Sequence, residues 1–162
     1  CGKCVPCRVG TRQLKEMLTK ITDGHGEEGD IEKLQDLADA IKSSALCGLG
    51  QTAPNPVLTT IKYFQEEYEA HIKEKSCPAL VCKELIVYFI EPDKCVGCLL
   101  CKQSCPVDAI SGERKQVHVI DQALCIKCGA CLDVCPKKVM AVSKYTGKKK
   151  DKIIKQSSQK RA

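Results

Sequence analysis

The sequence predicts an α+β chain: a small helical bundle fronted by a cysteine loop, joined to a second small domain of short strands and loops. Three observations predict it. Apolar residues recur at three- and four-residue spacing through the first half, the period of a helix packed on one face. Leu85 to Ile90 is a β-branched and aromatic run of strand length. A cysteine pattern then repeats without a gap: CVGCLLCKQSCPVDAI from Cys95 and CIKCGACLDVCPKKVM from Cys125, 30 residues on.

Taken in order, residues 1–10, CGKCVPCRVG, form a loop punctuated by Gly and Pro. Leu14, Leu18 and Ile21 mark a first helix, which Gly24 and Gly26 stop. A second helix is expected from Ile31 to about Ala45. Asp30 is placed to cap it, and Leu34, Leu37, Ala38, Ile41 and Ala45 form its stripe. After the loop CGLGQTAPN, Asn55 and Pro56 read as the N-cap and first residue of a third helix. Its apolar face, Val57, Leu58, Ile61, Phe64, Tyr68 and Ile72, ends the first domain (1–75) at about Lys75. These stripes ask for nothing beyond core packing. Residues 76–85 form a joint. Residues 86–143 form the second domain, with a further strand at Val117 to Ile120, and residues 144–162 form a basic tail expected to be disordered.

Aromatic residues make up only 4% of the chain and Trp is absent, so neither domain can rest on a large aromatic core. Cysteine, at 14 residues, is the obvious staple. Eleven of the 14 fall in runs with two or three residues between neighbours. A disulfide inside such a run closes only a tiny loop, so metal ligation in a reducing, cytoplasmic setting is the better reading. No leader peptide is visible, and no apolar run approaches membrane-spanning length. The net charge of +6 misleads. The segment from Lys144 onward holds eight Lys and Arg against one Asp, which leaves the rest of the chain at −1. The folded body is acidic, and the tail reads as a solvated charge run; nucleic-acid contact is the lesser alternative.

Each copy of the repeat reads Cys-x2-Cys-x2-Cys-x3-Cys-Pro. A 4Fe–4S cube offers four iron corners in tetrahedral directions. Three cysteines of one tight loop can cap three corners, and the fourth corner needs a remote ligand. In this motif the fourth cysteine of each run serves the other cluster. One set is then Cys95, Cys98, Cys101 and Cys135; the other is Cys125, Cys128, Cys131 and Cys105. Gly97, Gly129 and Ala130 would let backbone approach the cubes. Pro106 and Pro136 redirect the chain after the shared ligands, and Val96, Leu99, Leu100, Ile110, Ile126, Val134 and Val139 are placed to exclude water. Over about residues 86–143 the sequence resembles the bacterial two-cluster ferredoxins, which implies a ferredoxin-like domain. Zinc knuckles are the alternative for paired cysteines.

The first domain shows the same logic at longer range. Cys1, Cys4 and Cys7 share a loop, and Cys47, within LCGLGQ, is a remote fourth. This reads as a third 4Fe–4S site, with a zinc site of the same ligands as the alternative. CGKCVPCRVG, the helices and CGLGQ together resemble the C-terminal cluster domain of the flavin-bearing, NADH-oxidising subunit of complex I and its relatives. Those relatives include NAD-linked iron–iron hydrogenases and formate dehydrogenases. The resemblance implies that Cys1, Cys4, Cys7 and Cys47 ligate a cluster beside a flavin. A ferredoxin fused at this place marks the electron-bifurcating hydrogenase subunits, so the module order is most similar to theirs. In that family the FMN and NAD(P)H sites precede the CGKC loop. This sequence has no GxGxxG-type phosphate loop, and its first residue is already a candidate ligand, so it reads as part of a longer polypeptide.

Cys77 and Cys82 remain, and with His71 they spell His-x5-Cys-Pro-x3-Cys across the joint. Two readings stand: a structural zinc, which takes thiolate and imidazole together, or two buried free thiols beside an exposed helical histidine. His25, His118, a carboxylate or a residue outside the sequence could supply a fourth zinc ligand. Otherwise His25, in a glycine-rich loop, and His118, in a strand, read as surface or structural residues. The expected function is intramolecular electron transfer through three 4Fe–4S clusters. Electrons would enter from an upstream flavin and nicotinamide domain and leave through the ferredoxin pair to another redox subunit or a soluble ferredoxin. The segment itself offers no catalytic residue; its cysteines hold and tune clusters. A stand-alone ferredoxin-type carrier and the matching subunit of an NAD-linked formate dehydrogenase are the alternatives.

Overall fold

The structure, a computed structural model, describes residues 1–159 and divides into two compact units after Pro78. The first unit holds α1 (Val5–Thr22), α2 (Asp30–Ser44), the short α3 (Gly48–Thr52) and α4 (Asn55–Lys73). The three expected helices are present. The first begins earlier than its stripe suggests, because the cysteine loop is itself the entry to the helix. Cys4 is the N-cap and Pro6 lies in the first turn, where its fixed φ suits a helix start. Gly10 does not break α1. It is buried where α1 meets α2, and a Cβ there would lie 2.5 Å from Ile41 Cγ1. The core of this unit is Leu14, Ile21, Leu34, Ala38, Ile41, Ile61 and Ile72, all aliphatic.

Asp30 opens α2 but does not cap it in the expected way. Its carboxylate reaches back to accept the Glu27 backbone N–H at 2.9 Å, and it pairs with Lys20 at 3.1 Å and Lys33 at 3.3 Å. The residue is 3% exposed. Burial alone would push its carboxyl up. The Glu27 N–H and the two lysines outweigh burial and hold it below the ordinary carboxylate range.

The second unit runs through a 3-10 turn (Lys83–Leu85), β1 (Ile86–Ile90), α5 (Leu100–Gln103), β2 (Ile110–Ser111), β3 (Val119–Ile120), α6 (Ala130–Asp133), β4 (Val142–Thr146) and α7 (Gly147–Gln159). β1 pairs antiparallel with β4, from Ile86 opposite Thr146 to Ile90 opposite Val142. β2 pairs antiparallel with β3, Ile110 opposite Ile120. Each sheet thus takes one strand from each copy of the cysteine repeat, which binds the two copies into one body. Its core is Ile86, Tyr88, Ile90, Cys101, Ile110, Ile120, Cys131, Ala141 and Val142, with four more cysteines packed against it.

The disordered tail expected from residue 144 is corrected as far as Gln159. β1 has a whole edge to pair, and residues 142–146 fill it. The Tyr145 hydroxyl donates to Glu91, and its ring stands 6.3 Å from that of Phe89. α7 follows, with Ile153 buried and Lys150 donating to the Glu84 carbonyl. The high lysine content conceals this inward isoleucine. Residues 160–162 of the expected tail lie outside the described residues.

Candidate metal centres

The two repeat loops fold alike. Gly97 and Leu99 in the first copy, and Lys127 and Gly129 in the second, all take left-handed backbone, at φ 67°, 69°, 56° and 90°. Cys95 and Cys125 donate their backbone N–H groups to Glu91 and Asp121 at 3.1 and 3.0 Å. Each loop then turns into a one-turn helix, α5 or α6, that carries the third cysteine inward. Cys101 is 7% exposed and Cys131 is 8% exposed. The expected use of Gly97 and Gly129 needs refining. A Cβ at Gly97 would lie 2.5 Å from the Gln116 backbone nitrogen, and one at Gly129 would lie 2.9 Å from the Tyr88 hydroxyl. Both glycines make room for neighbouring chain.

Two small apolar cavities result. One is lined by Cys95, Cys98, Cys101 and Cys135, together with Ile90, Val139 and His118. The other is lined by Cys125, Cys128, Cys131 and Cys105, together with Tyr88 and Ile120. Each combines three cysteines of one run with the last of the other. All fourteen cysteines are free of disulfides. Burial, with repulsion from Cys125, Cys101 and Cys128, pushes the Cys131 thiol up to about 12. Burial, with Cys95 and Cys98 nearby, raises Cys101 as well. Thiolates crowded in this way need a positive centre among them, and four sulfurs around an apolar cavity fit an iron–sulfur cluster. One sulfur already has a donor: the Ala109 N–H lies 3.3 Å from Cys105 Sγ.

In the first unit, Cys4 and Cys7 sit at the start of α1, and Cys47 is the N-cap of α3. The backbone N–H of Leu46, with that of Cys7, holds the Cys4 thiol below its ordinary range. This ties the Cys47 loop to the first cysteine turn. Gly50 completes the approach, since a Cβ there would lie 3.3 Å from Cys7 Cβ. Cys1 and Cys47 are exposed, and so are Val5, Leu46 and Leu49 around them.

On the segment from residue 71 to 82, the ligand atoms of His71, Cys77 and Cys82 all lie within 4.8 Å of one another. His71 is buried, which departs from the exposed histidine of the free-thiol reading. Its Nδ1 lies 2.7 Å from the Glu67 carbonyl oxygen. A carbonyl only accepts, so Nδ1 carries the hydrogen toward Glu67, which leaves Nε2 as the ring atom that could face a metal. His25 is exposed, and neither it nor His118 belongs to this group among the described residues.

His118 is the residue that sequence reasoning undervalued. It is 1% exposed, with Nδ1 3.7 Å from Cys95 Sγ. The repeat could have found it, because the 30-residue offset aligns it with Tyr88, which lines the other cavity.

Sulfur-lined cavities in a doubled strand–loop–helix unit define an iron–sulfur protein. The comparisons with known proteins agree, unit by unit. Residues 1–71 match the family described as the NADH-ubiquinone oxidoreductase-F iron–sulfur binding region, and residues 88–143 match the 4Fe–4S dicluster domain. The NADP-reducing hydrogenase subunit HndC of Solidesulfovibrio fructosivorans is 54% identical over 118 residues, which is 73% of this chain and 24% of that protein. The F subunit of the NADH-quinone oxidoreductase of Streptomyces coelicolor is 47% identical over 78 residues, 48% of this chain and 17% of its own length. The NADP(+)-dependent formate dehydrogenase subunit beta of Moorella thermoacetica is 36% identical over 74 residues, 46% of this chain and 10% of its own. The chain therefore spans about a quarter or less of the length of these relatives. No helix among the described residues is long and apolar enough to cross a membrane.

Proposed function

We propose that this chain conducts electrons through three 4Fe–4S clusters within an NAD(P)H-linked flavin oxidoreductase. Cys1, Cys4, Cys7 and Cys47 would hold the first. Cys95, Cys98, Cys101 and Cys135 would hold the second, and Cys125, Cys128, Cys131 and Cys105 the third. When bound, each cluster supplies one-electron transfer at a potential set by its surroundings. The observation that carries the reading is the composition of the two cavities, each lined by three cysteines of one run and the fourth of the other. The chain's own residues then divide the work. The cysteines fix the clusters, Ile90, Ile120 and Val139 keep water out, and backbone N–H groups at Cys4 and Cys105 steady thiolate charge.

The relatives are long redox subunits, and HndC, by its name a subunit of an NADP-reducing hydrogenase, matches over 118 residues, more than either unit of this chain holds. The parent protein we infer carries FMN and NAD(P)H sites ahead of Cys1. It works in the cytoplasm as an electron-bifurcating hydrogenase subunit, and passes electrons from the ferredoxin pair to another redox subunit or a soluble ferredoxin. The exposed apolar rim of Val5, Leu46 and Leu49 around the first site suits a flavin domain packed against it. His71, Cys77 and Cys82 would hold a structural zinc.

The test is anaerobic isolation followed by dithionite reduction. The expected result is about twelve irons per chain, four for each cysteine set, one zinc, and paramagnetic reduced clusters by EPR. Cysteine sets filled with zinc and silent on reduction would overturn electron transfer. Full iron without zinc would overturn the site at His71 alone.

A further inference from the structure

The two halves of the ferredoxin unit share ligand spacing and backbone but not the residue behind each cavity. Tyr88 and His118 stand at equivalent places, 30 residues apart, two residues before the matching Ile90 and Ile120. Both are buried, at 4% and 1% exposure. Each ring is seated against a glycine. A Cβ at Gly129 would press on the Tyr88 hydroxyl. A Cβ at Gly112 would lie 2.6 Å from His118 Cδ2, and φ of +135° at Gly112 excludes other residues in any case. The Gly112 carbonyl is in turn held by Lys102 Nζ at 3.0 Å.

The two rings do different chemistry. Among the described residues Tyr88 makes no hydrogen bond to sulfur, whereas His118 Nδ1 lies 3.7 Å from Cys95 Sγ, within reach for a sulfur acceptor. His118 Nε2 is buried and has no hydrogen-bond partner among the described residues. A neutral imidazole has one N–H. If the sulfur takes it at Nδ1, the bare Nε2 is the atom left over, and the pattern is accounted for.

We propose that His118 donates a hydrogen bond from Nδ1 to the Cys95 thiolate and thereby sets the cluster of Cys95, Cys98, Cys101 and Cys135 at a higher potential than its twin. The proposal rests on the ligand sets given above. Reduction adds one electron, hence one negative charge, to a site that is already anionic. A donor aimed at its sulfur stabilises the reduced state more than the oxidised one, and a buried setting strengthens the effect. Tyr88 gives the other cluster the same shape without that donor. The electron therefore rests by preference on the Cys95 side, and the domain has a direction built into two nearly identical halves. His118 is a positioning residue acting through Cys95.

EPR-monitored redox titration of the iron-loaded chain tests this. Wild type should show two ferredoxin midpoints. In His118→Phe, which copies the Tyr88 ring without a donor, the higher midpoint should fall by about tenfold in its reduction equilibrium, or about 59 mV for one electron. The lower midpoint should stay in place. His118→Gln, which keeps a side-chain N–H, should restore part of the difference, and Tyr88→Phe should move neither midpoint. Should His118→Phe fail to load iron, pulsed EPR on the wild-type chain with 15N-labelled histidine takes its place. It should show a histidine nitrogen coupled to one of the two reduced clusters. Two intact clusters with an unmoved midpoint, an equal shift of both, or no histidine coupling would overturn the proposal alone. Absence of the two clusters in wild type would overturn the ligand assignment and the proposal with it.

Discussion

The two units use cysteine in opposite ways. In the helical unit the apolar core is seven aliphatic residues, none of them a ligand, and Cys1 and Cys47 sit exposed at one end. In the ferredoxin unit Cys101 and Cys131 are core residues, and Cys95, Cys105, Cys125 and Cys135 pack directly on that core. Its longest strands are five residues and its inner pair only two. So little regular structure around buried thiols does not balance chain entropy without help. On the ligand sets proposed above, the first unit is a fold that would carry a metal centre, and the second is a fold whose core the metal centres would complete. Iron binding and folding free energy should therefore be nearly one quantity in the second unit and separate quantities in the first.

Substitutions that touch one core and spare the other sharpen that contrast. The largest effect is expected for Cys131→Ala. It should remove about four irons or more, since both ligand sets share one core, and abolish the cooperative melt of the second unit by visible circular dichroism. Amide exchange in α1, α2 and α4 should be unchanged. Leu34→Ala, at a position with 0% exposure, should destabilise the helical unit by about 2–5 kcal/mol. It should leave the ferredoxin absorbance intact, as denaturant titration with both probes would show.

Asp30→Asn should cost that unit on the order of 1–3 kcal/mol, by weakening the buried acceptor of the Glu27 N–H. The pH dependence has a definite sign. Asp30 is held below its ordinary value, so its contribution is full above the unfolded carboxyl range, near pH 4, and is lost as pH falls through the lower folded value. Stability of wild type and variant should converge in acid. A gap that widens as pH falls would contradict the ion-pair account. The smallest effect on folding is expected for Cys47→Ala. It should release about four irons yet change the stability of the helical unit by no more than about 0.5 kcal/mol, as for an exposed position.

Much of this division was legible in the sequence. The stripes of Leu14, Leu34, Ile41 and Ile61 give the helical core, because helix period and burial coincide there. Cysteine spacing separates the eight ferredoxin cysteines into the two fours that line the cavities, because short tethers leave few ways to surround a cube. What escaped was set by pairing at a distance. Gly10 reads as the end of the cysteine loop, but it lies inside α1 as the contact point with Ile41. Residues 142–146 have no strong strand pattern and become a strand because β1 offers an unpaired edge. Ile153 is hidden in a lysine run whose composition argues for disorder. His118 lies one residue before a two-residue strand, and only the pairing of β2 with β3 buries it beside Cys95. Local pattern thus reports ligands and stripes. The neighbours that tune the ligands depend on contacts made across the repeat.

The most direct measurement is residue-resolved amide hydrogen exchange on the whole chain, before and after iron is stripped anaerobically with a ferrous chelator. The predicted result is collapse of protection across β1, β4 and the two short helices α5 and α6, with α1, α2 and α4 as protected as before. Retained protection in the second unit, or loss of protection in both units together, would contradict the claim that the metal centre is the core of one fold and only a passenger on the other.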